Sequence, residues 1–161
     1  PKRALRAGTA CSRPSPTAQR QKTGPRPTDE ETYMFANCQG GGVDICFPEI
    51  CKTPPAGAPL PYPNVAMGCS AVGFYPRVIL QTGPAHTLAT TIPMTSGDEI
   101  GAMGGAVSLI IKGPSRHTAG SMKVFWGGLP ASRLTSPTIQ NLSNGFGARV
   151  APGQTKVLLC S

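Results

Sequence analysis

The sequence predicts an all-β fold: a small tapered body of pseudo-repeated short hairpins with Gly/Pro-rich wrapping loops and few or no helices. Three observations carry this. The chain holds 20 Gly and 18 Pro in 161 residues, and both residue types interrupt helices and mark turns. Its aliphatic runs are short: Val78-Ile79-Leu80, Ser108-Leu109-Ile110-Ile111 and Lys156-Val157-Leu158-Leu159. Charged residues make up only 14%, well under the usual quarter, so the chain is turn-rich without being a charged coil.

In chain order, residues 1–33 come first. They are rich in Arg, Lys, Pro, Thr and Ser with no apolar period, and are read as a basic, flexible N-terminal extension. The body spans 34–161. Its first stretch, Met34 to Gly68, packs Gly40-Gly41-Gly42, Cys38, Cys46, Cys51 and Pro59-Leu60-Pro61-Tyr62-Pro63-Asn64 into a segment too rich in Pro and Gly for a long helix. It reads as wrapping loops and short strands anchored by Phe35, Ile45, Phe47, Ile50, Tyr62, Val65 and Met67. A repeat then emerges. Val78 aligns with Val124, Pro84-Ala85 with Pro130-Ala131, and Leu88 with Leu134, all at a shift of 46 residues. Each copy reads as strand, Gly-containing turn and returning strand, which is a hairpin. A third, truncated copy is expected at Gln154-Thr155-Lys156-Val157-Leu158-Leu159, and a half-copy at Leu109-Ile110-Ile111-Lys112-Gly113-Pro114. One small hairpin cannot bury its own apolar face, so the copies must share a core. Thr95-Ser96-Gly97-Asp98-Glu99 and Asn141-Leu142-Ser143-Asn144-Gly145 read as loops crossing between faces.

The net charge is +8, and residues 1–33 contribute +4 of it from seven basic and three acidic side chains. That arm has no aromatic interleaving for base stacking, so it is read as a solvated tail rather than a nucleic-acid arm. No stretch of 18 apolar residues exists, so no membrane-spanning helix is expected. The N-terminus lacks the apolar core of a secretory signal, and with it the expectation of an oxidising compartment; the six cysteines are expected as thiols.

Several pieces, in order, resemble a known family. They are Phe35-Ala36-Asn37 with Gln39-Gly40-Gly41-Gly42, then Phe47-Pro48 with Cys51-Lys52-Thr53-Pro54, then Pro59-Leu60-Pro61-Tyr62-Pro63-Asn64, and Met94 with Ser96-Gly97-Asp98-Glu99. Gly120-Ser121-Met122, Gly128, Pro130-Ala131, Gln154 and Val157 follow. Together they resemble the PAAR-like domain of type VI secretion systems, in the branch named for a Pro-Ile-Pro-Tyr motif. Cys38, Leu60 and Thr135-Ser136-Pro137-Thr138 depart from the family pattern. The resemblance implies a conical β structure that caps and sharpens the blunt end of a trimeric valine–glycine-repeat (VgrG) spike. It implies one copy per trimer, assembly in the bacterial cytoplasm and ejection through the contractile apparatus. Pro61, Tyr62, Pro63, Asn64, Gly97 and Asp98 are then structural motif residues. A second reading makes the domain an effector or toxin adaptor, with the arm recruiting cargo.

The main branch of the family resembles zinc proteins with three His and one Cys. Here Cys51, His86 and His117, with Cys38, Cys46 or Cys69, supply enough ligand types for zinc, yet no second short-spaced pair accompanies Cys46 and Cys51. The alternative is cysteines buried as small hydrophobes and histidines in exposed turns. Asp98 is read as bonding backbone amides in a turn, and Tyr62 as a buried ring whose hydroxyl reaches a loop carbonyl. Trp126 fits either core or spike-facing surface. No nucleophile elbow or Cys-centred signature appears, so the expected protein is not an enzyme.

Overall fold

The computed structural model describes residues 32–160. The expected flexible extension, residues 1–33, lies almost wholly outside the described residues. Thirteen strands follow one another: β1 (Tyr33–Phe35), β2 (Val43–Thr53), β3 (Ala58–Met67), β4 (Tyr75–Leu80), β5 (Gly83–Ala85), β6 (Thr91–Ile92), β7 (Thr95–Ser96), β8 (Ser115–His117), β9 (Phe125–Trp126), β10 (Leu129–Pro130), β11 (Pro137–Gln140), β12 (Gly145–Ala151) and β13 (Leu158–Cys160). Among the described residues the single helical element is the short 3-10 turn Gly68–Ser70. The fold is all-β, as the sequence predicts.

Seven strands form one antiparallel sheet in the order β6-β8-β11-β12-β2-β3-β7. Its two edge strands, β6 and β7, are consecutive in the chain with only Pro93 and Met94 between them. The sheet must therefore curl until its edges nearly meet.

Three small hairpins stand apart from that sheet. In β4–β5, Ile79 lies opposite Pro84; in β9–β10, Phe125 lies opposite Pro130; between β13 and β1, Leu158 lies opposite Phe35. The third hairpin thus joins the two ends of the described chain. The copy expected as truncated is complete, because β1 supplies its return strand.

The segments after these hairpins are joined in a closed triangle. His86 N donates to Asn37 O (3.0 Å), Asn37 N to Ser132 O (3.1 Å) and Ser132 N to His86 O (3.1 Å). A second ring repeats the pattern: Gln39 N to Pro84 O, Leu88 N to Pro130 O and Leu134 N to Phe35 O. Bridges Cys38–Ala85, Thr87–Ala131 and Ala36–Arg133 complete it. The backbone here has pseudo-threefold symmetry, with Asn37, His86 and Ser132 in equivalent positions.

Alternation along an extended chain puts neighbours on opposite faces, and the triangle separates two interiors accordingly. On one face Ala36, Ala85 and Ala131 pack with Cys38, Leu80 and Leu159, flanked by Val78, Val124, Val157 and Trp126. On the other, Asn37, His86 and Ser132 open a polar interior in which Asp44, Arg149, Glu49, Asn64, Thr95, Asp98, Gln140 and Asn141 are buried.

That polar interior corrects the expected anchors. Ile45, Phe47 and Met67 are exposed, and Phe35, Ile50, Tyr62 and Val65 are half-buried. Strand β2 turns Asp44, Cys46, Glu49 and Cys51 inward instead; the register shift between Cys46 and Glu49 keeps both on the inner face. The wrapping is also not short-stranded, since β2 and β3 have 11 and 10 residues. Pro59, Pro61 and Pro63 are tolerated because alternate positions remove donors from one side of β3 only. The outer neighbour β7 pairs only Val65 and Ala66. The expected half-copy at 109–114 is not a strand: Leu109 and Lys112 adopt positive φ and break the extended run. Thr95 and Ser96, expected in a loop, form β7.

Candidate functional site

The polar interior is built in levels from the triangle. Next to it lie the two histidines. His86 Nε2 contacts Gln39 Oε1 at 3.0 Å. Gln39 spends its amide on the Cys69 and Ala71 carbonyls, so its Oε1 accepts and His86 donates. His117 Nε2 faces two donors, Asn37 Nδ2 at 3.4 Å and Arg149 Nη2 at 3.5 Å, so it accepts as a neutral ring. Burial, and then the Arg149 charge, pushes both histidines down to about 3. Arg149 is fully buried. It grips Asp44 through Nε and Nη2 and Gly41 O through Nη1. Gly42, at φ 93°, leaves the space the guanidinium fills.

Beyond this pair, toward the far part of β2, the motifs converge. Glu49 accepts from Asn64 Nδ2 (2.6 Å), Asn144 Nδ2 (3.1 Å) and Asn141 Nδ2. Asn141 cannot be turned the other way, because its Oδ1 accepts Gly113 N–H at 2.5 Å and the Thr95 hydroxyl at 3.0 Å. Its amide also donates to Asp98 Oδ2 at 2.6 Å, and the backbone N–H of Lys112 meets the same carboxylate at 3.3 Å. Cys51 stands beside them, 3.9 Å from Asn144 Nδ2. Glu49, Cys51 and Asp98 are all buried, and their ligand atoms lie within 4.8 Å of one another. Burial, with the Asp98 and Glu49 charges behind it, pushes the Cys51 thiol up to about 11. Burial, then Glu49, Cys51 and Asp98, pushes Cys46 up to about 12. Neither thiol is activated as a nucleophile.

The residues singled out in the sequence are thus divided. The structure brings Cys51, Asn64 and Asp98, from three separate motifs, to one cluster. It does not bring Cys51 to His86 and His117. Among the described residues the group of potential ligands that converges is Glu49, Cys51 and Asp98, so the three-His, one-Cys set of the main branch has no counterpart here. The histidines are not in exposed turns but buried. Pro61 and Pro63 sit on β3 with Tyr62 between them, whose hydroxyl bonds Thr53 Oγ1 at 2.8 Å rather than a loop carbonyl. Gly97, at φ 127°, passes directly over the Pro63 carbonyl. Asp98 keeps a backbone amide partner, but it is drawn into the interior; the neighbouring Glu99 accepts the Gly97 N–H at 2.7 Å. Trp126 packs against the apolar cluster. Cys38, Cys46, Cys51 and Cys69 are free thiols, and the first three are buried.

Glu49 and the Asp44–Arg149 pair were not singled out by the sequence, and Asn141 and Asn144 were read only as loop residues. Glu49 had a signal: it stands two residues before Cys51 on an extended segment, hence on the same face.

At the hairpin end a different surface appears. Ile79, Phe125 and Leu158 occupy equivalent hairpin positions and are 67%, 52% and 51% exposed. Their sequence neighbours Val78, Val124 and Val157 pack against the core. Among the described residues no helix is long and apolar enough to cross a membrane.

No curated protein and no solved structure matches the chain. A family model described as the toxin PAAR-like domain matches residues 42–147, about two thirds of the sequence. That span holds β2 to the start of β12, including Glu49, Cys51, Asn64, Asp98 and Asn141, and the chain belongs to the PAAR-like toxin domain family.

Proposed function

We propose that this domain is a non-enzymatic tip for a threefold spike of the VgrG type in a contractile, type VI secretion apparatus. One copy binds per spike trimer; the complex assembles in the bacterial cytoplasm and is driven outward. The observation that carries this reading is the closed backbone triangle with Ile79, Phe125 and Leu158 repeated around it. A single chain that repeats an apolar residue three times about an axis offers each subunit of a trimer the same contact. Exposed apolar residues in a related set favour a protein partner. A polar interior closed by hydrogen bonds and a buried ion pair suits a rigid part that transmits force rather than one that opens for catalysis.

Mixing the chain with its spike trimer and measuring mass by light scattering tests this. The expected complex has one chain per trimer. Ile79→Asp, Phe125→Asp and Leu158→Asp should each weaken it about tenfold or more, since a charge is buried unpaired at an interface. No complex, or three chains per trimer, rejects the reading.

The family description names toxins, which favours a second reading in which the domain also carries toxic cargo. Removing residues 1–31 separates the two. If spike binding survives and a co-purifying effector is lost, the arm recruits cargo.

A further inference from the structure

The Glu49–Cys51–Asp98 cluster is not explained by spike capping. Two carboxylates are buried side by side, each fully shielded from solvent. Among the described residues the ion pairs are Lys112–Glu99 and Arg149–Asp44, so neither carboxylate has a basic partner. Asn64, Asn141 and Asn144 satisfy hydrogen bonds without supplying charge. Buried charges normally need a counter-charge as well as hydrogen bonds. A second, independent feature points the same way. Asn64 is fully buried with its amide against Glu49, and its Oδ1 has no hydrogen-bond partner in the protein. Beside them Cys51 offers a thiol whose contact is a distant amide.

We propose that Glu49, Cys51 and Asp98 bind a divalent cation of the zinc class, with the Asn64 carbonyl oxygen as a neutral fourth donor. A thiol in the set argues against magnesium and calcium, which take oxygen ligands, and for a borderline-soft ion. Four donors suit the tetrahedral geometry of a closed structural site. Tetrahedral bonds of about 2.0–2.3 Å place ligand atoms roughly 3.5 Å apart, so Glu49, Cys51 and Asp98, already within 4.8 Å of one another, close by side-chain adjustment, and Asn64, held against Glu49 by its amide, has to turn its oxygen toward them. On binding, Cys51 gives up its thiol proton to solvent and binds as thiolate, while Glu49 and Asp98 bind as carboxylates. Three negative charges then face two positive ones, and the excess negative charge falls. The ion would tie β2, the turn after β7 and, through Asn141, the turn between β11 and β12. It is a different site from any that uses His86 or His117, and it stands whether or not the spike reading does.

The test uses the full chain without a polyhistidine tag, purified from zinc-supplemented medium, with metal measured by mass spectrometry. About one zinc per chain is expected, falling at least tenfold in Cys51→Ser and in Asp98→Asn and unchanged in His86→Gln with His117→Gln. Cobalt exchanged into the wild-type chain should give a thiolate-to-cobalt charge-transfer band in the near ultraviolet. Wild-type protein that takes up no zinc or cobalt when both are supplied overturns the proposal. So does zinc retained by Cys51→Ser. If either variant fails to fold, the wild-type cobalt spectrum decides: tetrahedral cobalt with a thiolate band supports the site, and cobalt without that band overturns it.

Discussion

Arg149 and Asp44 are the residues whose side chains have nowhere else to go. Both are buried, and they pair through two guanidinium nitrogens. Removing one partner leaves an uncompensated charge, so Arg149→Met should lower unfolding free energy by about 3–5 kcal/mol, read from urea denaturation. Replacing both, Asp44→Leu with Arg149→Met, should recover much of that loss. The histidines give a pH prediction. Burial and Arg149 hold His86 and His117 near 3, against about 6.5 in an unfolded chain. The unfolded state therefore binds more protons between these values. The histidines' contribution is intact above about pH 6.5 and is lost as pH falls toward 3, at up to about 1.4 kcal/mol per pH unit for each ring. Denaturation midpoints at pH 7.5, 6 and 5 should fall in that order, and His86→Gln should flatten the trend. An unchanged midpoint would mean that the rings are already protonated in the fold.

At the scale of elements, the β2–β3 hairpin and the turn after β7 meet at Gly97. Its φ of 127° and the Pro63 carbonyl beneath it leave no room for a Cβ. Gly97→Ala should destabilise by about 1–3 kcal/mol, seen as a lower melting temperature, and should pull Asp98 away from Asn141. Across the same hairpin, Tyr62→Phe removes one hydrogen bond to Thr53 and should cost about 0.5–1.5 kcal/mol. The hairpins β4–β5 and β9–β10 were legible in the sequence because their Val, Gly and Pro-Ala positions recur at a fixed shift. The run at 109–111 has the same apolar character but no hairpin partner. The positive φ of Leu109 and Lys112 turns it into a loop whose backbone serves Asp98.

For the whole molecule, the hairpin shared by β13 and β1 makes the fold a ring in which the described ends are neighbours: Cys160 lies opposite Tyr33. A circular permutant that links residue 160 to residue 33 with a short Gly-containing turn and opens between Gly127 and Gly128 should fold. Its circular dichroism should match that of the parent, and melting should fall only modestly, because that opening breaks a hairpin turn and leaves both backbone rings intact. Failure to fold would mean that the triangle needs the original connectivity.

The sequence by itself determined the all-β class, the repeat and the family. Turn residues and short apolar runs are local signals, and the repeat and the ordered motifs are built from such pieces recurring in order along the chain. Cys51, Asn64 and Asp98 were visible as motif residues for the same reason. What only the tertiary structure decided is which of them share a site. The register shift in β2, the curling of a seven-stranded sheet onto its own edges and the closing of a hairpin by opposite ends of the chain are all long-range facts. They turn Ile45, Phe47 and Met67 outward and fill the interior with paired polar groups. They separate Cys51 from the histidines and join it to Glu49 and Asp98. Polar residues are ordinarily read as surface, because an isolated one is costly to bury; only the folded chain shows that these polar groups have one another.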